Sequence, residues 1–469
     1  MFSPRLAALV CAAALLFGCD SNPEVVPPPG QPADVPGGGF APEIGRASIV
    51  PVPPAYPLRR QGRAIVDRKG EPVLLHGDAA WSAIVNLRRE EMDRYLEDRH
   101  RKGFNALYVN LIDWTFSDQD PGWLNPYLDA PFLGTVDGYV MDMSRPNEPY
   151  WQLADHFIER AGELGFTVVA FPAYSGWMQG FDGWSFALHV NGLDRLRAYG
   201  EFLGARYADH PHIIWSAGGD WGPSGPQWDL RDHYATLADA IRQSGADQLW
   251  TGHGGQESGE DVYGYLGLDL NTTYRYPVAE VPEAVYLDYA RTPTMPFVFF
   301  EGRYENESEG SAQNMRYQAY SGLLGGAFGH FYGNRPMWFF GDGWEDALND
   351  PGALSMVHVG DLARSRALHT LVPDYDAQTV VGDRGSRTAG NWISAARAED
   401  GSTVVAYVPG QRSITVRMSR VAGEEARAWC YSPTTGRAAD LGRFATTGRQ
   451  TFEPCASPDW ILVLDAIQP

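Results

Sequence analysis

The chain has 469 residues, which is enough for two to four domains with sizeable cores. Its 37 Lys and Arg stand against 58 Asp and Glu, giving a net charge of −21, so we expect no nucleic-acid partner because phosphate binding needs a basic face. The 15 Trp, 23 Tyr and 21 Phe suit both large cores and clefts that stack on sugars.

Residues 1–19 have the pattern of a signal peptide. Arg5 precedes an apolar run that ends at Phe17 and is too short to cross a bilayer as a mature helix. The ending Leu16-Phe-Gly-Cys19 resembles a bacterial lipobox, which implies cleavage before Cys19 and lipidation of its thiol. An ordinary secretory signal is the alternative. We therefore expect a protein of the bacterial cell envelope, held to a membrane by an N-terminal lipid anchor and facing the periplasm or the cell surface.

Residues 20–57 are rich in Pro and Gly and are typical of a semi-extended tether. From 58 to 372, strand-like and helix-like segments alternate. The strand candidates are 73–77, 106–112, 167–171, 213–217, 248–252, 268–274, 296–300 and 327–332. The amphipathic helix candidates are 90–102, 150–164, 193–207, 228–243 and 312–324. This order predicts an α/β fold, a (β/α)8 TIM barrel, with a doubly wound open sheet as the second choice.

Residues 373–469 change to short alternating runs separated by Gly, Pro and Asp. The runs are 391–396, 403–408, 413–418, 426–431 and 460–464. They predict a small antiparallel β-sandwich that follows the barrel.

The segment Pro296-Phe-Val-Phe-Phe-Glu301 is the most informative one for function. Its five apolar residues predict a strand buried on both faces, and Glu301 then stands at the carboxyl end of the strand. Active sites of α/β barrels lie at that end. A salt-bridged or capping glutamate is the alternative interpretation of Glu301.

Polar and aromatic residues recur just past the ends of the predicted strands, and a barrel would bring those ends into one bowl. Carboxylates mixed with Trp and Tyr suit a carbohydrate, since rings stack on sugar faces and acids bind hydroxyls. Trp177 follows the third strand in the same way. We expect substrate contacts from Asp78, Trp81, Asn110, Trp114, Tyr174, Trp221, His253, Tyr274, Arg303, Tyr304, Glu305, Tyr332 and Trp338.

Glycoside hydrolysis needs two carboxylates that flank the bond. Asp220 and Glu301 follow the fourth and seventh strands, the positions used by the large clan of retaining barrel glycosidases. By that resemblance Asp220 is the acid/base and Glu301 the nucleophile. The commonest clan pattern has Asn-Glu after the fourth strand, whereas Gly219-Asp220 stands here. An aspartate is one methylene shorter, which leaves the carboxylate separation and the stereochemical outcome open.

The chain also resembles one family closely, over about residues 60–370. The motifs are Gly77-Asp-Ala-Ala-Trp81, Gly103-Phe-Asn105, Trp215-Ser-Ala-Gly-Gly-Asp220, Gly252-His253, Glu301-Gly-Arg-Tyr-Glu305 and Gly329-His-Phe-Tyr-Gly333. They stand in the order seen in apiosidase-like glycosidases, glycoside hydrolase family 140 and its relatives. The tail is similar to the β domain that often follows, which carries a collagen-binding label. Characterised members act on apiose in branched pectin.

Other mechanisms have no matching motif, because the sequence contains no H-E-x-x-H, P-loop or G-x-S-x-G pattern. We expect neither a cofactor nor a metal. The main hypothesis is an O-glycosyl hydrolase that acts on an oligo- or polysaccharide from a plant or microbial glycan. A non-catalytic glycan-binding lipoprotein on a glycosidase-like barrel is the alternative.

Cys430 and Cys455 are the thiols that remain after processing at Cys19. Both fall in the β domain, and an oxidising compartment would allow them to form a disulfide. Two buried free cysteines are the alternative.

Overall fold

The computed structural model describes residues 51–467 except 115–121, 181, 226, 257 and 309. The predicted signal peptide, the lipidation site Cys19 and residues 20–50 of the predicted tether lie outside the described residues. In the described part of the chain, no helix is long and apolar enough to cross a membrane.

The first part of the chain alternates strands and helices. In order these are β1 (Arg59–Gln61), β2 (Ala64–Val66), β3 (Leu75–Ala79), α1 (Ala83–Asn86), α2 (Arg89–Arg101), β4 (Ala106–Asn110), β5 (Thr135–Val136), β6 (Val140–Met141), α3 (Glu148–Glu163), β7 (Thr167–Phe171), α4 (Ser185–Tyr207), β8 (Ile213–Gly218), α5 (Arg231–Gln243), β9 (Trp250–His253), α6 (Gly259–Tyr263), β10 (Asn271–Tyr274), α7 (Val281–Tyr289), β11 (Phe297–Glu301), α8 (Ala312–Leu324), β12 (Gly329–Tyr332), α9 (Arg335–Trp338), α10 (Trp344–Ala347) and α11 (Pro351–Ser365).

Eight of these strands form one parallel sheet in the order β10-β11-β12-β3-β4-β7-β8-β9. The two outer strands of that order also meet, because the backbone amide of Asp269, just before β10, donates to the carbonyl of Trp250 in β9 at 2.9 Å. The predicted TIM barrel is therefore confirmed. In chain order β8 is its fourth strand and β11 its seventh.

Side chains on the barrel strands alternate between two cores. Ala106 and Tyr108 of β4 point into the barrel, whereas Leu107 and Val109 face the helices. Helix α3 shows why the outer layer packs, since its buried residues recur at helical spacing on one face. They are Tyr150, Trp151, Leu153, Ala154, Phe157, Ile158 and Ala161.

Several helices differ from the sequence prediction. Helix α4 begins at Ser185, eight residues before the predicted start, and it is kinked at Gly192, where φ is 65°. The glycine interrupts the amphipathic pattern, so only the second half was recognisable from the sequence. Helices α7 and α11 were not predicted, and the segment after the fifth strand forms only the five-residue α6.

The C-terminal part is antiparallel. Its strands are β13 (Val372–Pro373), β14 (Val380–Val381), β15 (Ser394–Arg397), β16 (Thr403–Val408), β17 (Ile414–Arg417), β18 (Glu425–Tyr431), β19 (Ala438–Ala445), β20 (Arg449–Phe452) and β21 (Trp460–Ala466). Six form one sheet in the order β13-β15-β16-β21-β18-β19, and β14, β17 and β20 form a second. Strands β19 and β20 escaped prediction because they are mostly exposed and polar. A disulfide joins Cys430 in β18 to Cys455, 25 residues later.

A buried ion pair connects the barrel to the β domain. Nε and Nη2 of Arg316 in α8 donate to the two carboxylate oxygens of Asp459, just before β21, each at 2.8 Å. The two side chains are 3% and 0% exposed. The hydroxyl of Tyr407 in β16 donates to the same carboxylate at 2.8 Å. Both domains lie in one compact unit.

We expect Arg316→Met to lower the free energy of unfolding by about 3–5 kcal/mol, because it leaves the Asp459 carboxylate buried without its cation. The double variant Arg316→Met with Asp459→Leu should recover part of the loss, since both charges are then gone. Urea unfolding followed by tryptophan fluorescence measures this.

The control for that experiment is Glu425→Gln, which breaks the exposed pair of Glu425 and Arg443 (3.6 Å; 50% and 63% exposed). It should change stability by less than about 1 kcal/mol. If Arg316→Met is no more destabilising than this control, the buried pair does not hold the two domains together.

Candidate active site

Asp220 is aimed into the mouth of the barrel by the two glycines before it. Gly218 ends β8 with φ 94°, and Gly219 follows with φ 147°, a region that residues with side chains rarely adopt. A Cβ on Gly219 would lie 2.3 Å from the ring of Tyr174. The Tyr174 hydroxyl itself donates to Oδ2 of Asp220 at 2.9 Å. The Gly-Gly-Asp sequence therefore lets the chain turn sharply and brings the carboxylate against Tyr174.

Glu301 reaches the same cavity through a β-bulge. On β11, Val298 and Phe300 point into the barrel and Phe299 packs outward, so strict alternation would turn Glu301 towards the helices. The register with β10 shifts at this point, and Tyr274 pairs with Glu301 rather than with Phe300. Bulges beside active sites re-aim side chains in this way.

Three aromatic side chains fix the Glu301 carboxylate. The hydroxyl of Tyr304 donates to Oε1 of Glu301 at 2.7 Å. That hydroxyl in turn accepts from Nε1 of Trp81 at 2.9 Å and lies 2.7 Å from the hydroxyl of Tyr108. Because an ionised carboxylate can only accept, the Tyr304 proton points at Glu301. The Trp81 indole, which can only donate, occupies a lone pair of the Tyr304 oxygen.

His253, at the end of β9, lies between the two carboxylates. Its Nε2 is 2.7 Å from Oε2 of Glu301 and 3.7 Å from Oδ1 of Asp220. Since both neighbours accept hydrogen bonds, Nε2 carries a proton. Tyr274 stacks on the imidazole with ring centroids 5.1 Å apart.

Burial and the neighbouring polar groups have opposite effects on the pKa values of Glu301 and His253. Burial raises the pKa of Glu301, the nearby Asp220 charge raises it further, and the hydrogen bonds from His253 and Tyr304 partly offset this rise. Burial lowers the pKa of His253, but the nearby Asp220 and Glu301 carboxylates outweigh it and raise that pKa overall. Two carboxylates that share a site tend to hold one proton between them.

A cavity of about 230 Å³ opens over this group. Its walls combine carboxylates with aromatic rings, as expected of a sugar-binding site. The lining residues are Trp81, Trp177, Asp220, Gln256, Tyr274, Tyr276, Glu301, Tyr304, Glu307 and Trp338. Of the predicted site residues, the structure thus brings Trp81, Asp220, Tyr274, Glu301, Tyr304 and Trp338 to one cavity.

Four predicted contact residues lie directly behind the lining. Tyr174 and His253 hold the carboxylates, as described above. Trp221 packs edge-on against Trp177, with ring centroids 5.8 Å apart. Arg303 places its guanidinium 4.0 Å from the centre of the Tyr276 ring. These residues shape the cavity, and none of them is among its lining residues.

The structure corrects the predicted substrate contacts of Asp78, Glu305 and Tyr332. Their polar groups form hydrogen bonds with other protein groups away from the cavity lining. Asp78 faces helix α2, since its neighbours Leu75 and Ala79 take the inward positions of β3. Its Oδ2 accepts from the hydroxyl of Tyr95 at 2.9 Å and from Arg99 at 3.3 Å.

Glu305 and Tyr332 are likewise used internally. Oε1 of Glu305 accepts from the backbone amide of Gly352, at the start of α11, at 2.8 Å, while Tyr332 donates to the other oxygen. This pair ties the loop after the seventh strand to the first turn of the helix.

The two predicted contacts after the second strand also lie away from the cavity lining. The side-chain amide of Asn110 donates to Asp113 at 2.6 Å, and both residues are buried. Burial raises the pKa of Asp113 to about 7. The ring of Trp114 packs against the rings of Trp123 and Trp184, with centroid distances of 4.8 and 4.9 Å.

Four lining residues were not among the predicted contacts: Trp177, Gln256, Tyr276 and Glu307. Each follows a barrel strand by two to six residues. Extending the search farther into the loops at the carboxyl ends of the strands would have found them. It would also have added many surface residues of the same types.

Asp220, His253 and Glu301 are also the group that could hold a metal ion, since one ligand atom of each lies within 4.8 Å of the others. A metal would need Nε2 of His253 without its proton. In the observed arrangement that nitrogen instead donates to the Glu301 carboxylate, so the three residues fit a hydrogen-bonded group better than a metal centre.

Comparison with known proteins identifies the same architecture. No curated protein matches the chain. A solved structure titled "Glycoside hydrolase" is 24% identical over 88% of this chain and 97% of its own, with a TM-score of 0.74. A glycoside hydrolase family 5 protein from Bacteroides vulgatus ATCC 8482 is 22% identical over 87% of this chain and 93% of its own, also with a TM-score of 0.74. At sequence identities of 24% and 22%, the similarity shows that these proteins share the fold of this chain.

Family models account for both domains. Residues 372–465 match the "Putative collagen-binding domain of a collagenase". Residues 59–370 match the "Apiosidase-like, catalytic domain". The narrower placement in glycoside hydrolase family 140 stays a prediction. The chain belongs to the Apiosidase-like family and is an O-glycosyl hydrolase.

Proposed function

We propose that the chain cleaves a glycosidic bond in a complex plant or microbial glycan by a retaining mechanism, with Asp220 and Glu301 as the catalytic pair. The observation that carries the proposal is the convergence of the two carboxylates on one cavity. Oxygens of the two groups lie within 4.8 Å of each other. Retaining enzymes place their carboxyl groups about 5–5.5 Å apart, and inverting enzymes about 6.5–9.5 Å.

In the first step the Glu301 carboxylate bonds to the anomeric carbon as the bond from that carbon to the leaving oxygen breaks. Asp220 gives its proton to the leaving oxygen. In the second step Asp220 takes a proton from water, and the water oxygen displaces Glu301 from the anomeric carbon. Both steps need Asp220 protonated and Glu301 ionised at the start.

The surroundings of the two groups support these roles. Glu301 accepts hydrogen bonds from Tyr304 and His253, and donors of this kind stabilise an ionised carboxylate. Oδ1 of Asp220 has no hydrogen-bond partner among the described residues. Its side chain is also more exposed than that of Glu301, at 20% against 7%. The proposed roles place the shared proton on Asp220, whose more exposed carboxyl can meet the leaving oxygen.

The lipid anchor belongs to the same proposal. An enzyme attached through Cys19 would act on glycans at the cell envelope. The match to a catalytic family does not favour the alternative of a non-catalytic glycan-binding lipoprotein.

Glu301→Gln and Asp220→Asn should each lower turnover at least about 100-fold while the protein stays folded, because they remove the ionisable group and keep the size. Purified wild-type protein is first screened against plant and bacterial glycans by product chromatography. The variants are then assayed on the glycan that is cleaved, with Glu453→Gln on the exposed surface as the matched control. Near wild-type turnover by either variant removes that residue from the pair, and no cleavage by the wild type favours glycan binding alone.

His253→Gln should move the acidic limb of the pH–rate profile about one pH unit higher. The imidazolium stabilises ionised Glu301, so its removal raises the pKa of Glu301 and active enzyme forms only at higher pH. The control is His156→Gln, because His156 pairs with Asp93 on helix α2, outside the cavity. An acidic limb that stays in place would show that His253 carries no charge in the active form.

Cys19→Ala, expressed in the native host, should move the protein from the membrane fraction to the soluble fraction. Several acyl chains on one residue give stable anchoring, whereas a cleaved secretory signal gives none. A membrane fraction that is unchanged in the variant would contradict lipidation at Cys19.

A further inference from the structure

One aromatic side chain of the cavity is unusually exposed. Trp177 is the most exposed of the lining residues, at 45%, and the proposed mechanism gives it no role. An exposed indole at the rim of a polar cavity offers a flat apolar surface, and such surfaces stack on the apolar faces of sugar rings. Trp177 is therefore well placed to contact a sugar that extends out of the cavity.

The loop that carries Trp177 is held by several contacts. The backbone amide of Trp177 donates to both carboxylate oxygens of Asp182 at 3.1 Å. Two residues later, the buried amide of Gln179 donates to the carbonyl of Trp228 at 2.8 Å, and its Oε1 accepts from the Trp228 amide at 3.2 Å. The ring of Trp221 packs against that of Trp177, with centroids 5.8 Å apart and the planes at 73°. The indole is thus positioned before a sugar arrives, which lowers the entropy cost of binding.

Trp177 lies on the Asp220 side of the cavity. It follows β7, the third barrel strand, whereas Glu301 ends β11, the seventh, and in the closed order of eight strands these two lie opposite each other. Tyr174, in the same loop as Trp177, donates to Asp220. Trp221, which packs against Trp177, follows Asp220 directly in the chain. The indole and the proposed acid/base therefore share one side of the cavity, and the proposed nucleophile holds the other.

The direction of the proposed displacement determines which sugar reaches Trp177. Glu301 bonds to one face of the anomeric carbon while the leaving oxygen departs from the opposite face. The leaving group therefore points away from Glu301 and towards Asp220, which protonates it. We propose that Trp177 forms a subsite for the leaving-group sugar and stacks on the ring whose oxygen Asp220 protonates. This inference rests on the proposed function of the same cavity.

The proposed subsite makes the effect of Trp177 depend on the leaving group. A glycan keeps a sugar ring on that side of the cleaved bond, so the indole contributes to its binding. A glycosyl fluoride carries a single fluorine atom there, which offers no ring to stack. The two substrates share the sugar that is released and differ only in the leaving group, so their comparison isolates this side of the cavity.

The test measures kcat/KM on both substrates. One is the glycan that the wild type cleaves in the screen, and the other is the glycosyl fluoride of the sugar that it releases. We expect Trp177→Ala to lower kcat/KM about tenfold or more on the glycan and by less than about twofold on the fluoride, because a tryptophan anchor contributes only where its partner ring is present. Trp177→Phe keeps a smaller flat ring and should lose less on the glycan.

The control is Leu287→Ala, because Leu287 on helix α7 is 55% exposed and is not among the lining residues. It should match the wild type on both substrates, and melting temperatures check that each variant is folded. The inference is overturned if Trp177→Ala cleaves the glycan as the wild type does, or if it loses at least as much on the fluoride. Hydrolysis by the wild type would leave the proposed function standing in both cases, whereas a wild type that cleaves neither substrate would overturn both.

Discussion

The structure depends on holding two carboxylates, the buried Glu301 and the partly exposed Asp220, at the mouth of a closed barrel. A buried carboxylate is costly unless donors surround it, and Glu301 has two, one from Tyr304 and one from His253. Those donors are themselves fixed, Tyr304 by the indole of Trp81 and His253 by the stacked ring of Tyr274. One carboxylate is thus positioned by residues from four barrel strands and their loops, namely the first, fifth, sixth and seventh.

The β domain supports the barrel helix next to the cavity. Its six-stranded sheet is covered on both faces: Val405 and Tyr407 of β16 pack towards the barrel helices, while Val404 and Ala406 pack towards the three-stranded sheet. Asp459 of this domain neutralises Arg316 of α8. Helix α8 follows the loop that carries Glu307, and its Gln318 anchors Arg303. The β domain therefore supports the helix from which part of the cavity wall is held.

Sequence reasoning predicted the fold well because the barrel strands are short, apolar and regularly spaced. It also found the two carboxylates, since residues at strand ends need no knowledge of side-chain direction. It placed Asp78 wrongly because alternation along β3 turns that residue outward, and no local signal shows which residues of a fully buried strand face inward. The bulge that re-aims Glu301 and the loop positions of Tyr276 and Glu307 depend on pairing between distant strands, which a single sequence does not show.

The central claim is that Glu301 attacks the anomeric carbon while Asp220 transfers the proton. Intact-mass and peptide-mass analysis of Asp220→Asn tests it most directly, with an aryl glycoside of the sugar that the wild type releases as the substrate, because a phenolate leaves without protonation. Without the acid/base the second step slows, so we predict that a glycosyl adduct accumulates on the peptide that contains Glu301. An adduct on another residue, or slow turnover that inverts the anomeric centre without any adduct, would contradict the account.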